Sequence, residues 1–120
     1  MSSGFEQLAV WKQATALAVG IYSLCRTGEL SKDPSLRDQM QRAAISIASN
    51  IAEGDERGSN KDSIRFFYIA RASSAELYTQ LFIAHAVGVI SARNFDEFAA
   101  QSKSISRQLY KLIQARSATS

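Results

Sequence analysis

Between Leu8 and Cys25 the apolar residues recur at spacings of three and four along two neighbouring series. One runs Leu8, Trp11, Thr15, Ala18, Tyr22 and Cys25; the other runs Val10, Ala14, Leu17, Ile21 and Leu24. At about 100° per residue the two series cover roughly 200° of a helix surface, which predicts a helix over residues 6–26. One bundle core seldom needs so wide an apolar face. Either this helix is central in the domain or its second series meets another subunit.

Three more segments carry the same period. Asp33 is a natural N-cap with Pro34 at the first helical position, so a helix is predicted over 34–53. Its core stripe is Leu36, Met40, Ala43, Ala44, Ile47 and Ile51, and its polar arc is Asp38, Arg42, Ser46, Ser49 and Glu53. Gly54 follows where a helix end uses left-handed backbone. Ser59 can cap the next helix, 60–87, with Asp62 three residues on as a variant of the capping box. That helix has one apolar stripe of Ile64, Phe67, Tyr68, Ala75, Tyr78 and Phe82, and a second of Phe66, Ala70, Leu77, Leu81 and Ala84. It fades near Gly88. Ser91 can cap a fourth helix, 92–115, whose stripe is Phe95, Phe98, Ile105, Leu109, Leu112 and Ile113. Ser117 to Ser120 is expected to fray. Helices of about twenty residues with short connections predict an all-α fold, an antiparallel up-down-up-down four-helix bundle in a single domain over 1–120.

Composition narrows the chemistry. The 120 residues are 46% hydrophobic with one proline, so the chain has material for one core and few helix breakers. One cysteine, Cys25, and one histidine, His85, leave no intrachain disulfide and no Cys/His metal site. A reducing cytoplasm is the expected compartment. Leu8 to Cys25 is not expected to be a leader or membrane anchor: Glu6 stands where a basic flank belongs, and Lys12 and Gln13 interrupt the run. Net charge is +3, which permits nucleic-acid binding without arguing for it.

The stretch SNIAEGDERGSNKDS, from Ser49 to Ser63, invites a phosphate-loop reading that its chemistry refuses. A helix precedes the glycines, the lysine that a phosphate loop requires after its second glycine is missing, and Asp55 and Glu56 would repel an anion. It reads as a corner between helices, with Gly54 and Gly58 supplying unusual backbone angles. Ser46, Ser49 and Glu53 share a face, but His85 lies on another helix, so no nucleophile and base are paired and no enzyme or cofactor is expected. Cys25 reads as a packed, inert thiol. His85 reads as a hydrogen-bonded packing residue. Arg71, set among Phe67, Ala75 and Tyr78, either extends its charge to solvent or needs a partner, for which Glu53 and Glu76 are the candidates. Lys103, Arg107 and Lys111 form a basic row, with Arg116 nearby, which could meet RNA or DNA phosphates.

Three stretches, LAVWKQA from Leu8, QMQRAAISIASNIAEG from Gln39 and RFFYIARASSAEL from Arg65, resemble the bacterial 23S rRNA intervening-sequence proteins, the S23 ribosomal protein family. The resemblance runs from about Phe5 to Ile113. It implies a cytosolic four-helix bundle without an established biochemical activity. The chain is also similar to the accessory protein of diversity-generating retroelements, a ring-forming pentamer that binds reverse transcriptase and nucleic acid. Asn50, Glu53, Arg57, Arg71 and Glu76 match polar positions of the family pattern and are expected to form one structural network at a helix junction. The surplus of apolar helix surface predicts a homo-oligomer, and the resemblance makes it a homopentamer. The expected role is a non-enzymatic scaffold or adaptor; the alternative is an RNA- or DNA-binding accessory factor acting through Lys103, Arg107 and Lys111.

Overall fold

The computed structural model describes residues 4–118. Four helices account for most of them: α1 (Ala9–Cys25), α2 (Pro34–Asp55), α3 (Asn60–Ala86) and α4 (Ala92–Ala118). No strand occurs among the described residues. Each helix packs on the next and α4 closes back onto α1, giving a four-helix bundle 46 × 27 × 21 Å in extent. The α4–α1 seam is the looser one. It is polar: Gln108 donates to Gln13, and both amides reach the Ser104 hydroxyl.

The helix starts follow from local chemistry. The Asp33 carboxylate accepts from Leu36 N at 3.1 Å, Ser59 Oγ from Asp62 N at 3.3 Å, and Ser91 Oγ from Asn94 N at 3.1 Å. At the end of α3, Gly88 takes φ +82°, and the Gly88 and Val89 amides donate back to His85 O and Ala84 O. That reversal needs a left-handed residue, which glycine adopts without strain. The ends differ most from expectation at the start of α1 and the end of α4, and α2 runs two residues further than expected, to Asp55. Residues 4–7 form a short 3₁₀ turn, so α1 starts at Ala9 and not at residue 6. Ser117 and Ala118 are helical, with Ser117 Oγ donating to Ile113 O; residues 119–120 of the expected frayed tail lie outside the described residues.

The corner between α2 and α3 corrects the sequence reading. Neither Gly54 nor Gly58 has a positive φ. Gly54 is buried in the last turn of α2, and a β-carbon there would lie 2.7 Å from Phe67 Cε1 and 3.0 Å from Ser63 O. Ser63 Oγ donates to Gly54 O at 2.6 Å. Gly54 therefore serves close approach of α3, and the left-handed cap is absent.

The core answers which stripe faces inward. On α1 it is Val10, Ala14, Leu17, Ile21 and Leu24, with Cys25, while Trp11, Thr15, Ala18 and Tyr22 are half-buried. On α3 the buried row is Ala70, Leu77, Leu81 and Ala84 of the second predicted stripe joined by Phe67 of the first; Tyr68, Ala75 and Phe82, also of the first, face out. Burying each large side chain contributes roughly 1.5–3 kcal/mol, so either row could have driven packing. Serines settle the contacts between helices. Ser46 Oγ meets Ser73 Oγ at 2.8 Å, and Ser102 Oγ donates to Ser74 O at 2.8 Å, binding α2, α3 and α4 at one level.

Candidate functional site

The outward face of α3 is the most unusual surface of the bundle. Tyr68 (52% exposed), Phe82 (57%) and Ile83 (47%) recur at helical spacing along it, with Ala72, Ala75, Thr79 and Ala86 between them, and Val87 extends it at the cap. From Ala72 to Val87 its exposed positions hold one carboxylate, Glu76, and no lysine or arginine. Single exposed apolar residues are ordinary, but a contiguous run along several turns marks a surface made to be covered.

The five polar residues expected to form one network fall into separate places. Arg57 pairs with Glu53 at 2.6 Å, both exposed, and the Arg57 and Arg65 guanidiniums lie 4.4 and 4.6 Å from the Phe66 ring centroid. Asn50 Nδ2 donates to Ser46 O and Oγ at 2.9 and 3.1 Å. Arg71 takes neither Glu53 nor Glu76. Its Nε donates to Ser106 O and Oγ at 3.3 and 3.2 Å, and the guanidinium lies 4.9 Å from the Tyr110 ring centroid. Arg71 points to α4, whereas Glu53 points outward from α2 and Glu76 is exposed on α3. A carbonyl, a hydroxyl and a ring face supply what a carboxylate was expected to supply.

Arg71 belongs instead to a groove between α3 and α4. Two adjoining depressions of about 270 and 360 Å³ share Ala75 and Ser106; Ser74 and Ser102 line the first, Tyr68 and Arg71 the second. Lys103 stands at the edge, its Nζ 4.8 Å from the Tyr78 ring centroid. Lys103, Arg107 and Lys111 are all exposed, but a four-residue step advances 40° around a helix, so the row fans out. Lys103 leans toward α3, while Lys111 borders a depression lined by Leu8 and Ala9 at the α1 seam. From Phe98 onward the sequence has no acidic residue, and none of the three bases makes an ion pair among the described residues. Arg116, by contrast, pairs with Asp55 at 3.0 Å and ties the end of α4 to the end of α2.

The remaining candidates are structural. Cys25 is buried with its thiol 3.9 Å from Arg37 O, and burial pushes its pKa up to about 11, so it is a protonated thiol near neutral pH. His85 is exposed and stacks on Phe95 at 5.3 Å, not hydrogen-bonded inside the packing as expected. The Ser46 hydroxyl is taken up by Ser73 and Asn50. Among the described residues no cluster of three His, Cys, Asp or Glu could hold a metal, and no helix is long and apolar enough to cross a membrane. The exposed α3 face and the α3–α4 groove were only half legible: the surplus stripe carrying Tyr68, Ala75 and Phe82 signalled the face, while nothing local placed Arg71 against Ser106.

Comparison places this geometry among known proteins. The family model of the 23S rRNA-intervening sequence proteins matches residues 6–111. A crystal structure of a protein of unknown function from the S23 ribosomal protein family of Bacteroides thetaiotaomicron VPI-5482 is similar with a TM-score of 0.81 and 23% identity. The match covers 88% of this chain and 98% of that one, and it shows a shared fold. No curated protein matches the chain.

Proposed function

The chain belongs to the 23S rRNA-intervening sequence protein family, and on that footing we propose that it is a non-enzymatic, self-assembling scaffold or adaptor of the cytoplasm. The observation that carries this reading is the uncovered α3 face, with Tyr68, Phe82 and Ile83 at helical spacing and one carboxylate across four turns. Another copy of the chain is the partner always present at matching concentration. Contacts between unlike faces of identical copies either close into a ring or grow filaments, so a discrete assembly implies closed symmetry. Five copies is the number the resemblance to the retroelement accessory protein supplies. Native mass spectrometry on the purified chain tests the reading: a single oligomeric species supports it, and a monomer at micromolar concentration overturns it.

A second reading, an accessory factor for RNA or DNA, rests on the acid-free stretch from Phe98 onward with Lys103, Arg107 and Lys111 free of ion pairs among the described residues. A ring would repeat those cations around its axis and strengthen a weak single-copy attraction.

A further inference from the structure

We propose that the α3–α4 groove binds a small organic carboxylate, its acid held by the Arg71 guanidinium and the Ser106 hydroxyl and its apolar body lying over Ala75. The site does not depend on self-assembly: it adds a ligand to the bundle, and its readout is binding and not mass.

Arg71 is a cation held in place without an acid. It is half-buried on α3, and among the described residues it makes no ion pair. Both of its hydrogen bonds leave from Nε, to Ser106 O and Oγ at 3.3 and 3.2 Å, while the guanidinium lies 4.9 Å from the Tyr110 ring centroid. The bonds and the ring fix the plane of the guanidinium. Its remaining N–H groups, on Nη1 and Nη2, form the parallel fork that matches the two oxygens of a carboxylate. Ser106 Oγ accepts from Nε and so keeps its own proton to donate to the same anion. Because the fork is already ordered, an incoming acid loses less free energy to immobilising it.

The rest of the groove defines what is attached to the acid. Ser74 Oγ donates to Arg71 O and Ser102 Oγ to Ser74 O, both at 2.8 Å, and Thr79 Oγ1 donates to Ala75 O at 2.9 Å. With these hydroxyls turned to the backbone, the floor offers carbon surface around Ala75, and the Tyr78 ring stands beside it. No acidic residue lines either hollow, and Lys103 adds a second positive charge at the rim. The hollows, of about 270 and 360 Å³, are joined at Ala75 and Ser106 and together reach the size of small-molecule sites, roughly 300–1,000 Å³. From Arg71 to Tyr78 the helix rises about 10 Å, the reach of an extended chain of about eight carbons.

A phosphate fits these walls less well. Phosphate sites draw on the free backbone N–H groups of a helix start. Here both walls are helix interiors, in which the amides are taken by the helix itself. One fork and one hydroxyl satisfy a carboxylate and leave the third oxygen of a phosphate bare.

Octanoate is the probe. Titrated into the isotope-labelled full chain, it should shift the amide NMR signals of Ala75 and Ser106 and saturate with a Kd of about 1 mM or tighter, as about ten non-hydrogen atoms allow. Arg71→Gln, which removes the fork, and Ala75→Leu, which fills the hollow, should each weaken binding about tenfold or more, and Arg71→Lys should not restore it. Circular dichroism melting verifies that each variant is folded. Octanol and octylamine, which lack the anion, should bind about tenfold more weakly or worse. No saturable shift with octanoate, shifts confined to another part of the bundle, or an affinity unchanged by Arg71→Gln or by Ala75→Leu would overturn the site. Octyl phosphate binding more tightly than octanoate would overturn the choice of acid. Light scattering reports self-assembly separately, so failure here removes the ligand and leaves that reading to its own test.

Discussion

Gly54 and Phe67 are in direct contact across the α2–α3 corner: the ring lies where a β-carbon on Gly54 would be, 2.7 Å from Cε1. The ring is fully buried, and the Ser63 carbonyl bounds the other side at 3.0 Å, so neither neighbour can retreat cheaply. Gly54→Ala gains up to about 1 kcal/mol of helix propensity yet must shift a packed ring and a backbone group. The net expectation is destabilisation by about 2 kcal/mol. Gly58→Ala meets nothing within 4 Å and should change stability by less than about 0.5 kcal/mol. Urea denaturation of the two variants measures the contrast, and equal midpoints would contradict the packing account.

Ser63→Ala removes the 2.6 Å bond to Gly54 O and leaves that buried carbonyl without the hydroxyl. A loss of about 1–2 kcal/mol is expected in the same assay. Combined with Gly54→Ala the effect should be less than additive, because the two changes disrupt one contact.

Cys25 makes a prediction about pH. Burial raises its folded-state pKa from the usual 9 to about 11, so the folded state holds the proton more tightly than the unfolded chain. That contribution to stability is complete below pH 9 and is lost as pH rises toward 11. Melting temperature should therefore fall between pH 9 and 11 more steeply for the wild type than for Cys25→Ala. In the native protein at pH 8 a thiol reagent should label Cys25 slowly, and in denaturant at once.

Where α2, α3 and α4 begin was legible because a cap is a local device: Asp33, Ser59 and Ser91 each bond an amide three residues on, whereas α1 has no side-chain cap and its start was misplaced. The four-helix architecture was legible for a related reason, since the 3.6-residue period reports a buried stripe wherever one exists. What the period could not say is which of two stripes is buried. Leu17 and Trp11, or Leu77 and Phe82, are alike in hydrophobicity, and only the neighbouring helices decide between them. Gly54 was read as a cap because its role depends on Phe67, a residue on another helix. The same holds for Arg71, whose partner Ser106 lies on α4. Local signals survive translation into structure; relations between helices do not.

For the nucleic-acid reading, log affinity for RNA or DNA should fall linearly with log salt concentration. Changing Lys103, Arg107 and Lys111 together to glutamine should reduce the slope by about 2–3. Because the row fans from the α3 side to the α1 side, single changes at Lys103 and Lys111 should weaken binding additively. Absence of binding at low salt to single strands, structured RNA and duplex DNA would remove this reading.

Self-assembly through the outward face of α3 is the central claim, and light scattering of the wild type beside Phe82→Asp/Ile83→Asp tests it most directly. Both side chains are about half exposed in the single chain, so the double change should leave the melting transition of the folded bundle nearly intact. The account predicts a discrete oligomer for the wild type at micromolar concentration and a folded monomer for the variant. A monomeric wild type, or a variant that keeps the full oligomeric mass, would contradict it.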